Sequence, residues 1–451
     1  MINPRIPKHL VALALAVMCN AGLVRAQAPA TGTVETITLS QAIAQALEKN
    51  YDLLLAENQA EIERINNHPG NAGLLPSLAV NSSYNYARNN TELEFANDIP
   101  PNNTDGAQSR SLQYGLQFNY RLFDGLGSIY SYRQLGNSEK ISDLEARIVA
   151  ESIILQTAEL YLNAALAKEQ INIAHGNLEV SGDRLKRAQI AQEVGAVNQL
   201  ELLGAEVNYN RDSITWRNAL ILYDELRRGL QLMMGHEIQL NFDVETDMKV
   251  ADNWNVSEVQ SDALTNNASL LSAAYTIHNA ELRIKRAQSA RLPVLDATAG
   301  YGFTQNNNDV GILLRQQNIG LNAGVTLRWN LFNGGQVNRS IKIAKTALES
   351  SELIRDKAQA TIDRDVQNAL ARFNHLRETW VLEERNSRVA QLNLDRSKEQ
   401  FNLGVLSATA YREAQVNLFQ SKLAVQSAMF DLKMAELELM RLSGRLLTEG
   451  S

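Results

Sequence analysis

The feature that most restricts this chain is that its sequence is written twice. Ala46-Leu47 with Asn50 recurs as Ala263-Leu264 with Asn267, and Leu75-Pro76 recurs as Leu292-Pro293, all at an offset of 217 residues. LFDG at 122 to 125 recurs as LFNG at 331 to 334, Gly195 as Gly404 and Gly235 as Gly444, all at an offset of 209. The difference falls between Pro76 and Leu122, where a loop absorbs it. Both halves must follow one plan: short helix, strand, loop, strand, very long helix, glycine turn, helix.

The strands are the clearest local signal. From Leu112 to Leu122 the even positions are Leu, Tyr, Leu, Phe, Tyr and Leu, and the odd ones are Gln, Gly, Gln, Asn and Arg. That is alternation with period two. In the second half Ile319, Leu321, Ala323, Val325, Leu327, Trp329 and Leu331 share one face, while Gly320, Asn322, Gly324, Thr326, Arg328 and Asn330 share the other. Leu78, Val80, Tyr84 and Tyr86, then Leu295, Ala297, Tyr301 and Phe303, complete four strands of about ten residues, the span of a tilted membrane strand. The Asn-rich segments 89 to 109, with Pro100-Pro101, and 305 to 317 read as long external loops.

The helices follow from heptads. No Pro occurs from Gly125 to Val194, where Ile141, Ile148, Leu155 and Leu162 fall seven apart with Leu144, Ala158 and Ala165 between them. Glu151 interrupts that seam. Ile362, Val366, Ala369, Phe373, Leu376 and Trp380 keep alternating steps of four and three. A helix of about 70 residues spans about 105 Å, long enough to run beside two shorter ones stacked end to end, 198 to 234 and 39 to 72.

Arg5 and Lys8, an apolar run from Leu10 to Val17, and Val24-Arg25-Ala26 form a secretory signal with cleavage expected after Ala26. Cys19 lies inside it, so the mature chain is expected to carry neither cysteine nor lipid anchor. Three of the 43 basic residues and none of the 50 acids leave with the signal, which gives a net charge of -10 and argues against nucleic acid. The mature part holds no apolar run of 18 residues, so a membrane span must be a β-barrel.

The expected segmentation is 1-26 signal and 27-235 first repeat, with strands about 78-88 and 111-122 and helices about 124-194 and 198-234. A linker at 236-255 follows, then a second repeat over 256-444, with strands about 294-304 and 319-331 and helices about 333-402 and 406-443. Residues 445-451 form a tail. Four strands cannot close around a lumen, and an open sheet edge is excluded from lipid. Several chains must share one barrel, and the strand count leaves two, three or four open.

The LPSL and LPVL strand entries, the LFDG and LFNG junctions, and the paired runs EVGAVNQLELLGAE and FNLGVLSATAYREAQ resemble the TolC-type outer-membrane exit ducts, over Thr38 to Gly444. The resemblance implies a mixed α+β membrane protein: a homotrimeric 12-stranded β-barrel, four strands per chain, continued by an antiparallel coiled-coil α-helical barrel. It implies a periplasmic adaptor and an inner-membrane pump or ATP-driven exporter as partners. It places adaptor contact at two turns, Val194, Gly195 and Ala196, and Leu403, Gly404 and Val405. Its entrance acids, six and nine residues after the second turn's Gly, fall on Ala410 and Glu413, so one acidic ring is absent. Of its latch, the acid corresponds to Glu201, while the basic position is Leu406 and the phenol position Phe401.

Chemistry is sparse. His68, His175, His236, His278 and His375 are isolated, and no metal site or cofactor is expected. Glu383-Glu384 lies on a solvated helix, and Gly125-x-Gly127 and Gly300-x-Gly302 lie in or beside strands rather than before a phosphate site. The function expected is a passive gated duct through periplasm and outer membrane, with no enzymatic activity. The alternative is a non-transporting periplasmic coiled-coil scaffold or a surface protein.

Overall fold

The computed structural model describes residues 35–94, 102–235, 242–246, 250 and 254–449. The signal segment with Cys19, Pro100-Pro101, His236, most of the 236-255 linker and residues 450 and 451 lie outside the described residues.

The described chain runs β1 (Glu35–Ile37), α1 (Leu39–Lys49), α2 (Tyr51–Asn66), β2 (Ser77–Leu93), β3 (Asn102–Phe123), α3 (Gly127–Glu193) and α4 (Gln199–Met233). It continues with β4 (Phe242–Val244), α5 (Val256–Asn266), α6 (Ala268–Ser289), β5 (Val294–Asn308), β6 (Arg315–Arg328), α7 (Gln336–Asn402), α8 (Ala408–Leu442) and α9 (Leu446–Glu449). At 1.5 Å per residue, α3 and α7 are each about 100 Å long.

The four long strands form one antiparallel sheet in the order β2-β3-β5-β6. Apolar rows cross it: Val80, Leu116, Tyr301 and Leu321 lie side by side, as do Tyr114, Phe303 and Ile319, with Ser82 at the β2 end of that row. The Tyr114 and Phe303 rings stack with centroids 4.9 Å apart. On the opposite face Gly115, Gly302 and Gly320 form a row. A Cβ on Gly115 would sit 2.7 Å from the Tyr301 carbonyl oxygen, so a side chain there would force the strands apart.

The sheet differs from the sequence expectation at three places. The segments 89 to 109 and 305 to 317 are strand for much of their length, and β2 pairs with β3 out to Leu93 and Asn102. Beyond the apolar band their Asn, Ser and Thr residues lose the alternation that marks a half-buried strand, yet antiparallel pairing satisfies the backbone whatever the side chains are. β6 ends at Arg328 rather than 331, because its partner β5 begins at Val294 and Pro293 has no N–H to extend the ladder. Trp329 leaves the sheet and its indole donates to the Arg291 carbonyl. Leu122 is the extra residue of a bulge, and Phe123 takes its place opposite Leu295.

The segment 39 to 72, read as one helix, is broken at Asn50, and the same joint is built at Asn267. Asn50 Oδ1 accepts from the amides of Asp52 and Leu53, and its Nδ2 donates to the Met233 carbonyl at the end of α4. Asn267 Oδ1 accepts from Ser269 and Leu270, and its Nδ2 donates to the Leu442 carbonyl at the end of α8. One buried amide thus starts a helix and caps the end of another. That places α2 in line with α4 beside α3, and α6 in line with α8 beside α7.

Around the joints lie the described core residues. Tyr161, Leu162, Ala164 and Ala165 of α3 pack on Leu230, Phe242 and Val244. Val366, Ala369 and Phe373 of α7 pack on Leu432 and Leu439, with Leu376 and Trp380 against them. The sequence did not show β1 and β4, which pair in parallel against this core. Glu151, the residue that breaks the seam, is buried and bonded to Arg147, whose guanidinium also reaches the Gly444 carbonyl. Burial holds its pKa above the ordinary carboxylate value, against the pull of Arg147 and Arg441.

Candidate functional site

The end of the helical part farthest from the sheet carries two turns of one design. α3 stops because Gly195 takes φ +74°, and the amides of Gly195 and Ala196 close back on the Gln192 and Ala191 carbonyls. α7 stops at Gly404, φ +73°, where Gly404 and Val405 close on Phe401 and Gln400. A Cβ on either glycine would meet nothing within 4 Å, so the backbone angle alone requires glycine. Asn198 and Ser407 then start the returning helices by accepting from the amides of Glu201 and Ala410.

These turns present apolar side chains to solvent: Val194, Leu200, Leu403 and Val405 are each 74% to 78% exposed. Two exposed apolar knobs at the tip of each hairpin are what a partner protein would cover.

The described residues do not join the latch positions within one chain. Glu201 is exposed, and its carboxylate makes no hydrogen bond or ion pair among the described residues, while Leu406 is half-buried. Phe401 stacks on Tyr411, centroids 5.0 Å apart and rings 9° from parallel, which pins α7 to α8 below the turn. Glu413 is exposed on α8 in one stripe with Asn417 and Gln420.

Arg412 supplies a contact that the sequence reading missed. Its guanidinium bonds the buried Asp212 carboxylate on α4 and so ties the α7–α8 hairpin to the α3–α4 hairpin. The available signal was the spacing Ala205, Asp212 and Ala219, an acid in a seven-residue series of buried small residues. Between the two hairpins lies a cleft of about 790 Å³, lined by Asn172, Asn177, Gln391, Asp395, Gln415 and Lys422 among others.

At the other end of the hairpins β4 is held by charge. Asp243 accepts from Lys168 at 2.7 Å and from the Tyr223 hydroxyl, and Lys168 also donates to the Val244 carbonyl. Burial alone would raise the Asp243 pKa, but these bonds outweigh it and hold it below the ordinary value. Tyr161 donates to the Ile37 carbonyl and accepts from the Glu245 amide; burial pushes its pKa up to about 12. No group of His, Cys, Asp and Glu residues among the described residues has the geometry of a metal site.

A four-stranded sheet with an exposed apolar face, joined to two helices each about 100 Å long, is the architecture of a barrel-and-helix membrane channel. The chain belongs to the family described as Outer membrane efflux protein, whose sequence model matches residues 42–236 and 259–445. It is similar to Outer membrane protein TolC of Escherichia coli strain K12, 23% identical over 430 residues and covering 90% of this chain and 82% of that protein. It also resembles Cation efflux system protein CusC of Escherichia coli O157:H7, 22% identical with 88% and 84% covered. Its fold matches the Campylobacter jejuni CmeC outer membrane channel with a TM-score of 0.76, at 18% identity, over 90% of this chain and 85% of that one.

Proposed function

We propose that this protein is the passive exit duct of a tripartite efflux or type I secretion system, a homotrimer whose subunits share one barrel. The observation that carries this reading is the sheet's two open edges. β2 and β6 each have one unpaired side, while residues such as Val80 (75% exposed) and Leu321 (73%) offer a lipid-type face. Unpaired edges are not tolerated in hydrocarbon, so other copies must complete the ladder.

The opposite face gives the barrel a polar, water-compatible lining of Gln113, Gln117, Asn119, Thr298, Asn322 and Thr326. The helical hairpins extend it through the periplasm. An energised inner-membrane pump or exporter supplies the work, and the duct does no covalent chemistry. The exposed Val194 and Ala196 turn and the Leu403, Gly404 and Val405 turn are the surfaces a periplasmic adaptor covers. Glu413, repeated around a threefold axis, makes a single acidic ring at the entrance, and Glu201, Phe401 and Leu406 belong to the same end of the hairpins.

Gly404→Asp tests the turn assignment. A non-glycine residue at φ +73° costs roughly 1–2 kcal/mol locally and puts a charge on the tip, far from the barrel. The expected result is a normal amount of assembled protein in the outer membrane with export abolished, measured as substrate retained by intact cells. Normal export from this variant would remove the turn from the adaptor interface.

A further inference from the structure

On the membrane-type face of the sheet, the row directly beyond the apolar band carries Tyr86, Arg110, Asn307 and Arg315 across β2, β3, β5 and β6. Arg88 stands one step further out on the same face of β2, opposite Gln108. Arg110 and Arg315 lie two strands apart, roughly 10 Å. All three arginines are exposed. The row lies on the side of the band away from the strand-to-helix junctions, toward the hairpin ends.

Below the row the band runs without a charged residue through Tyr84 and Leu112, Tyr114 and Phe303, Leu116 and Tyr301, and Phe118, down to Phe123 and Leu295. At a strand tilt of about 40° this is roughly 25 Å of height, the apolar thickness a membrane barrel presents. The arginines therefore stand at headgroup level of the outer leaflet.

Their partners distinguish them from the other sheet arginine that faces an acid. Arg121, on the polar face, is paired with Asp296 at 3.1 Å. Among the described residues Arg88, Arg110 and Arg315 have no carboxylate partner, and Glu92, Asp105 and Asp309 at the hairpin ends form no ion pair with them. Arg110 is braced instead by Gln108 Oε1 at 2.7 Å and Arg315 by Gln305 Oε1 at 3.4 Å, and no other partner of either guanidinium is found among the described residues. Directly behind this row the polar face is uncharged, with Ser109 and Ser111 donating to Asn308 and Asn306. At this level of the sheet cationic charge is thus confined to the lipid side. Guanidinium is the group suited to phosphate, which it binds through paired N–H donors.

We infer that Arg88, Arg110 and Arg315 form a girdle that binds the phosphate groups of the phosphorylated glycolipid in the outer leaflet. The inference rests on the reading of the sheet as a membrane barrel. Each chain supplies three arginines, and the copies that complete the barrel repeat them around its circumference. The girdle fixes how deep the barrel sits.

Native mass spectrometry of the detergent-purified protein, offered bis-phosphorylated lipid A or the same lipid with its phosphates removed, tests this. Wild type should retain the phosphorylated form, and Arg88→Gln/Arg110→Gln/Arg315→Gln should retain it at least about tenfold less. The triple Lys variant should keep most of the retention, as a point charge still attracts phosphate. Retention by wild type should also fall at high salt, which reads the girdle without any substitution. Equal retention of both lipids by wild type, or undiminished retention by the Gln variant, overturns the girdle. A wild-type protein that fractionates with the outer membrane and shows β content while ignoring phosphate overturns the girdle alone; one found in the soluble fraction overturns the barrel reading and the girdle with it.

Discussion

Single charged residues sit in contrasting surroundings at the two ends of the helical part. Glu413 is exposed beside Arg412, which is engaged by Asp212 and cannot neutralise it. Three such carboxylates around an axis attract cations. Glu413→Gln should therefore reduce cation selectivity, and block by multivalent cations from the periplasmic side, in planar-bilayer recordings; unchanged selectivity would place Glu413 outside the entrance. Asp243, by contrast, is structural. Its folded pKa is depressed, so its contribution is present above the unfolded value of about 3.9 and is lost as pH falls through the depressed value. The protection factors of the β1 and β4 amides, taken relative to the intrinsic exchange rate at each pH, should fall below about pH 4 as Lys168 is released, and in Asp243→Asn they should not change across that range. A wild-type clamp indifferent to that acidification would contradict the assignment.

At the scale of elements, the joints at Asn50 and Asn267 decide whether each half forms a continuous stave. Asn50→Ala removes two capping bonds and the donor to Met233, a loss of about 1–3 kcal/mol in a buried setting. Asn50→Asp keeps the acceptor for Asp52 and Leu53 but turns an anion toward the Met233 carbonyl. Thermal midpoints should order wild type above both variants, with Asn267→Ala behaving like Asn50→Ala. Equal midpoints would mean that the joint is held by packing alone.

These joints also show what was legible. Ala46-Leu47-Asn50 and Ala263-Leu264-Asn267 were visible as a repeat, but an Asn that ends one helix and begins the next looks like any polar residue inside a helical pattern. The membrane strands were legible because one side of each had to be apolar. Their outward extensions past Tyr86 and Phe303 were not, since both sides there are polar and only backbone pairing defines them. At the hairpin tips, positive φ made Gly195 and Gly404 readable, whereas the Asp212–Arg412 pair joins residues that are not equivalent in the two repeats.

For the whole molecule, four strands per chain can be only a fraction of a barrel. The apolar face and the two open edges leave a single copy without a stable place in lipid. Native mass spectrometry of the mature protein extracted from outer membranes, with circular dichroism on the same sample, tests this most directly. The expected result is a trimer that keeps its β content and loses it only on dissociation; a stable monomer with full β content would contradict the shared barrel.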